Sequence, residues 1–251
     1  MPQYAIGLPT VGEFGDVNAL CALAVRAEES GWDGVHLWDH LLFHDPAWPV
    51  TSSTVAAAAI AAVTSRIRII LTVALPRRQV QDVAQDTAAL AALSGDRLTL
   101  VATLGSIDRE YADFGLDADL RARGRGLDAG LTRLTTLWTE WGHPQIPIWC
   151  GALWPHRVGL RRAARFDGAM PTFPDQRIRN VPPADFAAAA GFVHGLNPRL
   201  PDLALEGATD AASAAEQIAP YTGLTWWIEA LGWWRGGLAT AAPRIDAGPP
   251  R

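Results

Sequence analysis

The chain has 251 residues, 49% of them hydrophobic and 19% charged, with a formal net charge of −5. That balance suits one barrel or two small domains, and it excludes the basic field that holds nucleic acid. Two cysteines, Cys21 and Cys150, are too few for a disulfide framework or a cysteine-rich zinc site. The start "MPQYAIGLPTVGEFG" lacks a charged region followed by an apolar run, and no uncharged apolar stretch is long enough to span a membrane. No signal peptide, no membrane and a cytoplasmic location are the expectations. All 21 basic residues are arginine. Schiff-base catalysis, pyridoxal phosphate chemistry and a Walker-A nucleotide site each need a lysine amine, and all three are excluded.

In chain order, short apolar runs alternate with amphipathic alanine-rich stretches. "YAIGL" reads as a first strand, and Val17 to Ser30 as a helix stopped by Gly31. "GVHLW" is a second strand, followed by a long loop and a helix from about Ser53 to Val63. "IRIILTV" and the helix Val80 to Leu93 form a third pair. "RLTLVA" is the fourth strand, with a long polar loop and then a helix near Arg121 to Thr139. "IPIWC" precedes a helix near Pro155 to Arg165, and "DGAMP" one that starts after Pro182 and Pro183. "LALEG" with Ala211 to Tyr221 is the seventh pair, and "LTWWIEA" the eighth strand. Eight near-continuous apolar strands joined by helices predict a parallel sheet closed as a (β/α)8 TIM barrel, one domain over 1–251. An open doubly wound sheet would want a glycine-rich turn after its first strand, and "GLPTVGEFG" does not spell G-x-G-x-x-G.

In such barrels the site is built at the C-terminal ends of the strands. There the second strand offers Asp39, His40, His44 and Trp48, the third Thr72, Val73, Arg77 and Arg78, and the fourth Thr103, Gly105 and Ser106. The fifth offers Cys150, Gly151, Trp154, His156 and Arg157. The eighth carries Trp226, Trp227 and Glu229. His36, His40 and His44 are four apart, but a metal reading needs a helix where the sequence has a strand and a proline-containing loop, so no metal is expected. His40 is either a buried histidine bonded to a carbonyl or to Asp39, or a proton donor or acceptor beside a ligand. "IWCGALWPHRVGLRRAAR" places a small-residue turn, a proline and Arg157 at a helix start, an anion-site pattern. His44 and Trp48 are either loop packing or pocket wall. Trp226, Trp227, Trp233 and Trp234 are either core or the lining of a planar apolar pocket.

Several stretches, in order, resemble the bacterial luciferase-like monooxygenases, the flavin- and F420-dependent barrel superfamily. "RAEESGWDGVHLWDHLL" is similar to its helix–strand–DH segment, and "AAVTSRIRIILTVALPRR" to its T-x-R-I-R stretch. "AALSGDRLTLVATLGS…REYADFG" and "IPIWCGALWPHRVGLRRAARFDGAMP" resemble its fourth- and fifth-strand segments. The resemblance implies a flavin-linked oxidoreductase, foremost a two-component monooxygenase. It would use reduced, loosely bound FMN from a separate flavin reductase and act on a small apolar substrate. F420-dependent hydride transfer is the alternative, with Arg77, Arg78 and Arg157 as candidates for the anionic tail. A further alternative is a relative with no cofactor, either an acid–base catalyst or a non-catalytic partner subunit. The resemblance also implies roles for residues. His40, with Asp39 before it, handles protons. A strand bulge at Thr72 and Val73 lies under the cofactor ring, and Leu104, Gly105 and Ser106 line it. Gly151, Ala152, Trp154 and Arg157 hold its phosphate, while His44, Trp48 and Trp226 border the substrate. A homodimer is a further expectation.

The departures from the pattern are equally specific. The glycine-rich "GVG" reads Val101-Ala102-Thr103, which puts side chains where close backbone approach is expected. Val80, Gln85 and Ala129 replace a proline, a basic and an acidic residue. The segment before the fifth strand, between Trp138 and Ile146, is short.

Overall fold

The computed structural model describes residues 2–251. Eight strands run in chain order around a closed, all-parallel barrel: β1 (Gln3–Leu8), β2 (Gly34–Leu37), β3 (Arg68–Ala74), β4 (Leu98–Thr103), β5 (Ile148–Leu153), β6 (Gly168–Thr172), β7 (Asp202–Gly207) and β8 (Trp226–Ala230). The ring closes through β1 and β8, with Ala5 opposite Ile228. Helices α1 (Val17–Glu29), α2 (Ser53–Val63), α3 (Val80–Ser94), α5 (Leu120–Glu140), α6 (Arg157–Ala163), α7 (Pro183–Leu196) and α8 (Ala214–Ile218) follow successive strands, and α9 (Leu238–Asp246) follows β8. Short side chains start several of them: Asp16 accepts from Asn18 N and Asp119 from Ala122 N, both at 2.8 Å, each satisfying a free N–H of the first turn.

Strand residues alternate between two cores. One set packs outward against the helices; the other fills the barrel with Ala5, Ile70, Val101, Trp149, Met170, Ala204, Trp226 and Ile228. Two indoles fit inside because glycines face them. A Cβ on Gly168 would lie 2.2 Å from Trp149, and one on Gly34 would lie 3.0 Å from Trp226. The interior is therefore a packed plug, and any ligand space lies above it.

The outermost inward positions change character. Above the apolar plug, His36, Thr72, Thr103, Gly151, Thr172 and Glu206 face one open space. On β2, β3, β4, β6 and β7 a small or apolar residue is followed two positions later by a polar one: Gly34 then His36, Ile70 then Thr72, Val101 then Thr103, Met170 then Thr172, Ala204 then Glu206. The seam between β6 and β7 is brief, with register only at Gly168–Asp202 and Ala169–Leu203. Beyond it Gln176 bridges the parting chains, accepting from Phe173 N at 2.8 Å and donating to Glu206 O at 2.6 Å.

Several expectations need correction. The polar loop after β4 contains a short helix, α4 (Arg109–Ala112). The sixth helix starts at Arg157, after a cis Trp154–Pro155 bond, so Pro155 is not its first residue. The eighth helix spans only Ala214–Ile218. The bulge expected at Thr72 and Val73 is absent. β3 pairs with β4 without a skipped residue from Ile69–Leu98 to Ala74–Thr103, and among the described residues the cis bond at Trp154 is the only one. The connection from α5 to β5 is the short run 141–147. Among the described residues no helix is long and apolar enough to cross a membrane.

Candidate functional site

A cavity of about 500 Å³ opens at the C-terminal ends of the strands, within the range of small-molecule sites. Of the residues singled out in the sequence, Asp39, His40, Thr72, Leu104, Gly105, Ser106, Gly151 and Ala152 line it. Val73, Trp154, Arg157, His44, Trp48 and Trp226 do not.

His40 is buried at the end of β2, and its ring is held by a residue the sequence did not single out. Nδ1 lies 3.1 Å from Oε1 of Glu110, which is wholly buried on α4. The same oxygen accepts from Leu41 N at 2.7 Å. The Arg77 guanidinium forms an ion pair with the other carboxylate oxygen of Glu110, and its second arm lies 3.0 Å from Oδ2 of Asp39. Burial pushes the Glu110 carboxyl up. Its bond to His40, the Arg77 charge and the Leu41 N–H outweigh that and hold it below its ordinary value. Glu110 is thus an ionised acceptor, so Nδ1 donates, and Nε2 is the nitrogen left with a lone pair.

Asp39 is not bonded to His40. Its carboxylate accepts from Ala74 N at 2.9 Å and Ser53 Oγ at 3.1 Å, besides meeting Arg77, which also donates to the Asp39 carbonyl at 2.8 Å. It fixes the β2 and β3 loop ends. Arg77 and Arg78, candidates for an anionic tail, turn to these internal partners: Arg77 is buried, and Arg78 donates to Thr54 at 3.1 Å.

The floor holds a second set of polar groups. His36 is 3% exposed; its Nε2 meets Thr72 Oγ1 at 2.8 Å, while Nδ1 has no protein partner. Burial lowers this imidazole to about 4, so it is neutral at pH 7. Glu206 on β7 accepts one bond, from Trp38 Nε1 at 3.3 Å. Burial raises its carboxyl above the ordinary value against the opposing pull of Arg177 and Trp38. Arg177 sits 4.4 Å over the Trp38 ring, which stacks on Trp234 at 5.5 Å.

The other predicted residues have packing partners elsewhere. Val73 points into the outer core, and Trp226 belongs to the interior plug beneath the floor. Arg157 is exposed and rests 5.1 Å over the Phe192 ring, and Trp154 lies against that ring at 6.4 Å. The end of β5 therefore contributes Gly151 and Ala152, and the turn after it no cation; the arginines on the cavity are Arg123 and Arg177. Trp48 stacks on Phe43 at 5.8 Å and meets Trp233 at 4.9 Å, binding the loop after β2 to the loop after β8. His44 is exposed with its edge toward Phe43. Thr103 fills the space that a glycine would leave: a Cβ on Gly151 would lie 2.9 Å from its methyl. Among the described residues no group of three metal-ligating side chains forms.

Parallel strands closed in chain order, with a buried histidine at the barrel mouth, define the class: a (β/α)8 barrel. Residues 6–222 match the family model described as luciferase-like monooxygenase, and the chain belongs to that family. Its members are FMN- or F420-dependent monooxygenases and oxidoreductases, and the chain is an enzyme of that class. No curated protein matches the sequence. Among solved structures, the monooxygenase RslO1 from Streptomyces bottropensis is similar in fold, with a TM-score of 0.74 at 16% identity over 98% of this chain and 97% of that one. An F420-dependent secondary alcohol dehydrogenase in complex with an F420-acetone adduct has a TM-score of 0.77 at 16% identity over the same shares. The oxygenating constituent of 3,6-diketocamphane monooxygenase from Pseudomonas putida, in complex with FMN, gives 0.62 at 14% identity, over 80% of this chain and 65% of that one.

Proposed function

We propose that this protein is the oxygenating component of a two-component monooxygenase, which takes reduced FMN from a separate reductase and oxidises a small, largely apolar organic molecule. The observation that carries the reading is the buried His40–Glu110 pair at the edge of an open cavity in a chain of this family. The cavity suits a planar ring. Its walls at Gly105 and Gly151 are backbone, and Leu104 and Ala152 give apolar contact. Gly105 has φ +71, a conformation that favours glycine. A cofactor phosphate would find its charge partner in Arg177 rather than in the turn after β5, since Arg123 is buried and bonded to Ala118 O, Gly105 O and Asp108. FMN, when bound, supplies the electron and oxygen chemistry.

The chain's own residues do the rest. Glu110 holds the His40 ring through Nδ1 and leaves Nε2 free to take up a proton during turnover and return it. Arg77 keeps Glu110 ionised, and Asp39 keeps Arg77 in place. The apolar plug of Trp149, Trp226 and Met170 closes the barrel below and excludes water from that side.

A second reading, F420-dependent hydride transfer, draws support from the fold neighbour that carries an F420-acetone adduct and from Arg177 at the mouth. It uses the same His40–Glu110 pair. The test is oxygen uptake by the protein with reduced FMN and a flavin reductase, set beside substrate-driven reduction of F420. Substrate-dependent oxygen uptake supports the first reading; F420 reduction without oxygen supports the second.

A further inference from the structure

Three buried carboxylates at the strand ends, Asp39, Glu110 and Glu229, are heavily bonded, and a fourth, Glu206, is partly buried on the cavity. Asp39 and Glu110 are consumed by Arg77 and backbone N–H groups. Glu229 on β8 accepts from Thr209 N, Thr209 Oγ1 and Trp227 Nε1 and pairs with Arg235. Glu206 differs. It has one hydrogen bond, from the Trp38 indole, and no cation within ion-pair distance among the described residues. Its second oxygen has no protein partner and is free to bond to a molecule in the cavity that Glu206 lines.

The neighbouring strand presents a matching deficiency. His36 is almost wholly buried, Thr72 fixes one ring nitrogen, and the other has no partner. Both groups line the cavity and border Gly7. His36 is opposite Gly7 in the β1–β2 register, and a Cβ on Gly7 would lie 3.0 Å from Glu206 Oε1. The glycine gives the carboxyl room to lie along the floor. Trp38, two positions beyond His36, ties Glu206 to the same corner.

We infer that His36 and Glu206 form a substrate-binding subsite on the cavity floor, apart from the His40–Glu110 pair, that takes a neutral group able both to donate and to accept a hydrogen bond, a primary amide or a hydroxyl. This deepens the reading above by naming the polar end of an otherwise apolar substrate, and rests on it for the substrate's fate. The free Glu206 oxygen and the free His36 nitrogen can each bond to a group that both donates and accepts, whichever tautomer the ring adopts. The rest of the floor is Thr72, Met170 and Val101, which suits the apolar remainder. An anion would instead go to Arg177 at the mouth and leave the floor unsatisfied.

The test uses benzamide, benzyl alcohol, toluene and benzoate as probes, titrated without any cofactor into protein carrying 15N-labelled histidine. Resonances are assigned by loss in His36→Leu and His40→Ala. Benzamide and benzyl alcohol should bind about tenfold more tightly than toluene, the equivalent of one good hydrogen bond, and should move the His36 signals. Glu206→Leu should erase that preference, and Glu206→Gln should retain it. If Glu206→Leu does not fold, the His36 shift in the unaltered protein decides. Equal binding of toluene, tighter binding of benzoate, or a shift confined to His40 overturns the proposal. Failure of FMN and F420 to bind would refute the proposed function and leave this result standing, because no probe measurement contains a cofactor.

Discussion

His40 and Glu110 stand 70 residues apart in sequence, yet Nδ1 of one lies 3.1 Å from Oε1 of the other. The contact joins the end of β2 to a single-turn helix after β4, and Arg77 after β3 locks it from behind. Three consecutive βα loops thus share one buried charge network: two carboxylates, one guanidinium and one imidazole. Its stabilising and its chemical roles fall on different members.

Removing Glu110 should strip Arg77 of a buried partner. Glu110→Ala is expected to cost about 3–5 kcal/mol, the usual penalty for an uncompensated buried charge, read as a fall in thermal midpoint. His40→Ala leaves the Arg77 pairs intact. It should lower stability by no more than about 1.5 kcal/mol, the scale of a single hydrogen bond, while slowing turnover by roughly 10²–10⁴. Equal losses of stability in the two variants would contradict this division of roles.

The barrel plug makes Gly168 intolerant of a side chain. A Cβ there would sit 2.2 Å from Trp149, which is fully buried and bonded to Asp202 at 3.1 Å. Gly168→Ala should therefore destabilise by about 1–3 kcal/mol through overpacking, measurable by urea unfolding. A neutral effect would mean that the indole moves freely.

Stability should also fall in acid because of Glu28. Its carboxylate accepts from the N–H groups of Ser65, Arg66 and Ile67, tying α1 to the entry of β3. Partial burial raises its pKa, but those backbone bonds dominate and bring it down to about 2. A depressed carboxyl contributes fully above its unfolded value and loses that contribution as pH falls toward 2. Unfolding free energy should decline between about pH 4.5 and 2, and less steeply in Glu28→Gln. Identical pH profiles for the two proteins would remove Glu28 from the account.

His44 and Trp48 lie off the cavity lining. His44→Ala should leave ligand affinity within about twofold, since exposed substitutions away from a site stay near ±0.5 kcal/mol. Trp48→Ala, which empties the stack between Phe43 and Trp233, should lower the thermal midpoint. A large affinity loss in His44→Ala would put that imidazole in the site.

The barrel was legible because each strand is an apolar run and each helix an amphipathic one, so "GVHLW" and "IRIILTV" declare themselves locally. His40 was legible by its place at a strand end. Glu110 was not named: it lies in a stretch that reads as polar loop, and although the "REYADFG" segment that resembles the family contains it, its contacts with the ends of β2 and β3 are distant in sequence. Arg177 is similarly hidden in the polar run after β6. His36 and Glu206 left a signal that a run of apolar residues masks. In strands covered on both faces the period of two is faint, but alternate positions show Ile70 giving way to Thr72 and Ala204 to Glu206. Arg157 lies off the cavity lining for the opposite reason: a helix start implied a direction for its side chain, and the side chain rests on Phe192 instead.

The most direct measurement is a titration of FMN, reduced FMN and F420 against the purified protein, followed by absorbance and fluorescence, with His40→Ala and Arg177→Ala in parallel. The account predicts saturable binding of reduced FMN or F420, weakened by Arg177→Ala and little changed by His40→Ala, whose role is in proton handling. No binding of any of the three at tens of micromolar, where useful sites of about −6 kcal/mol would be filled, would contradict it.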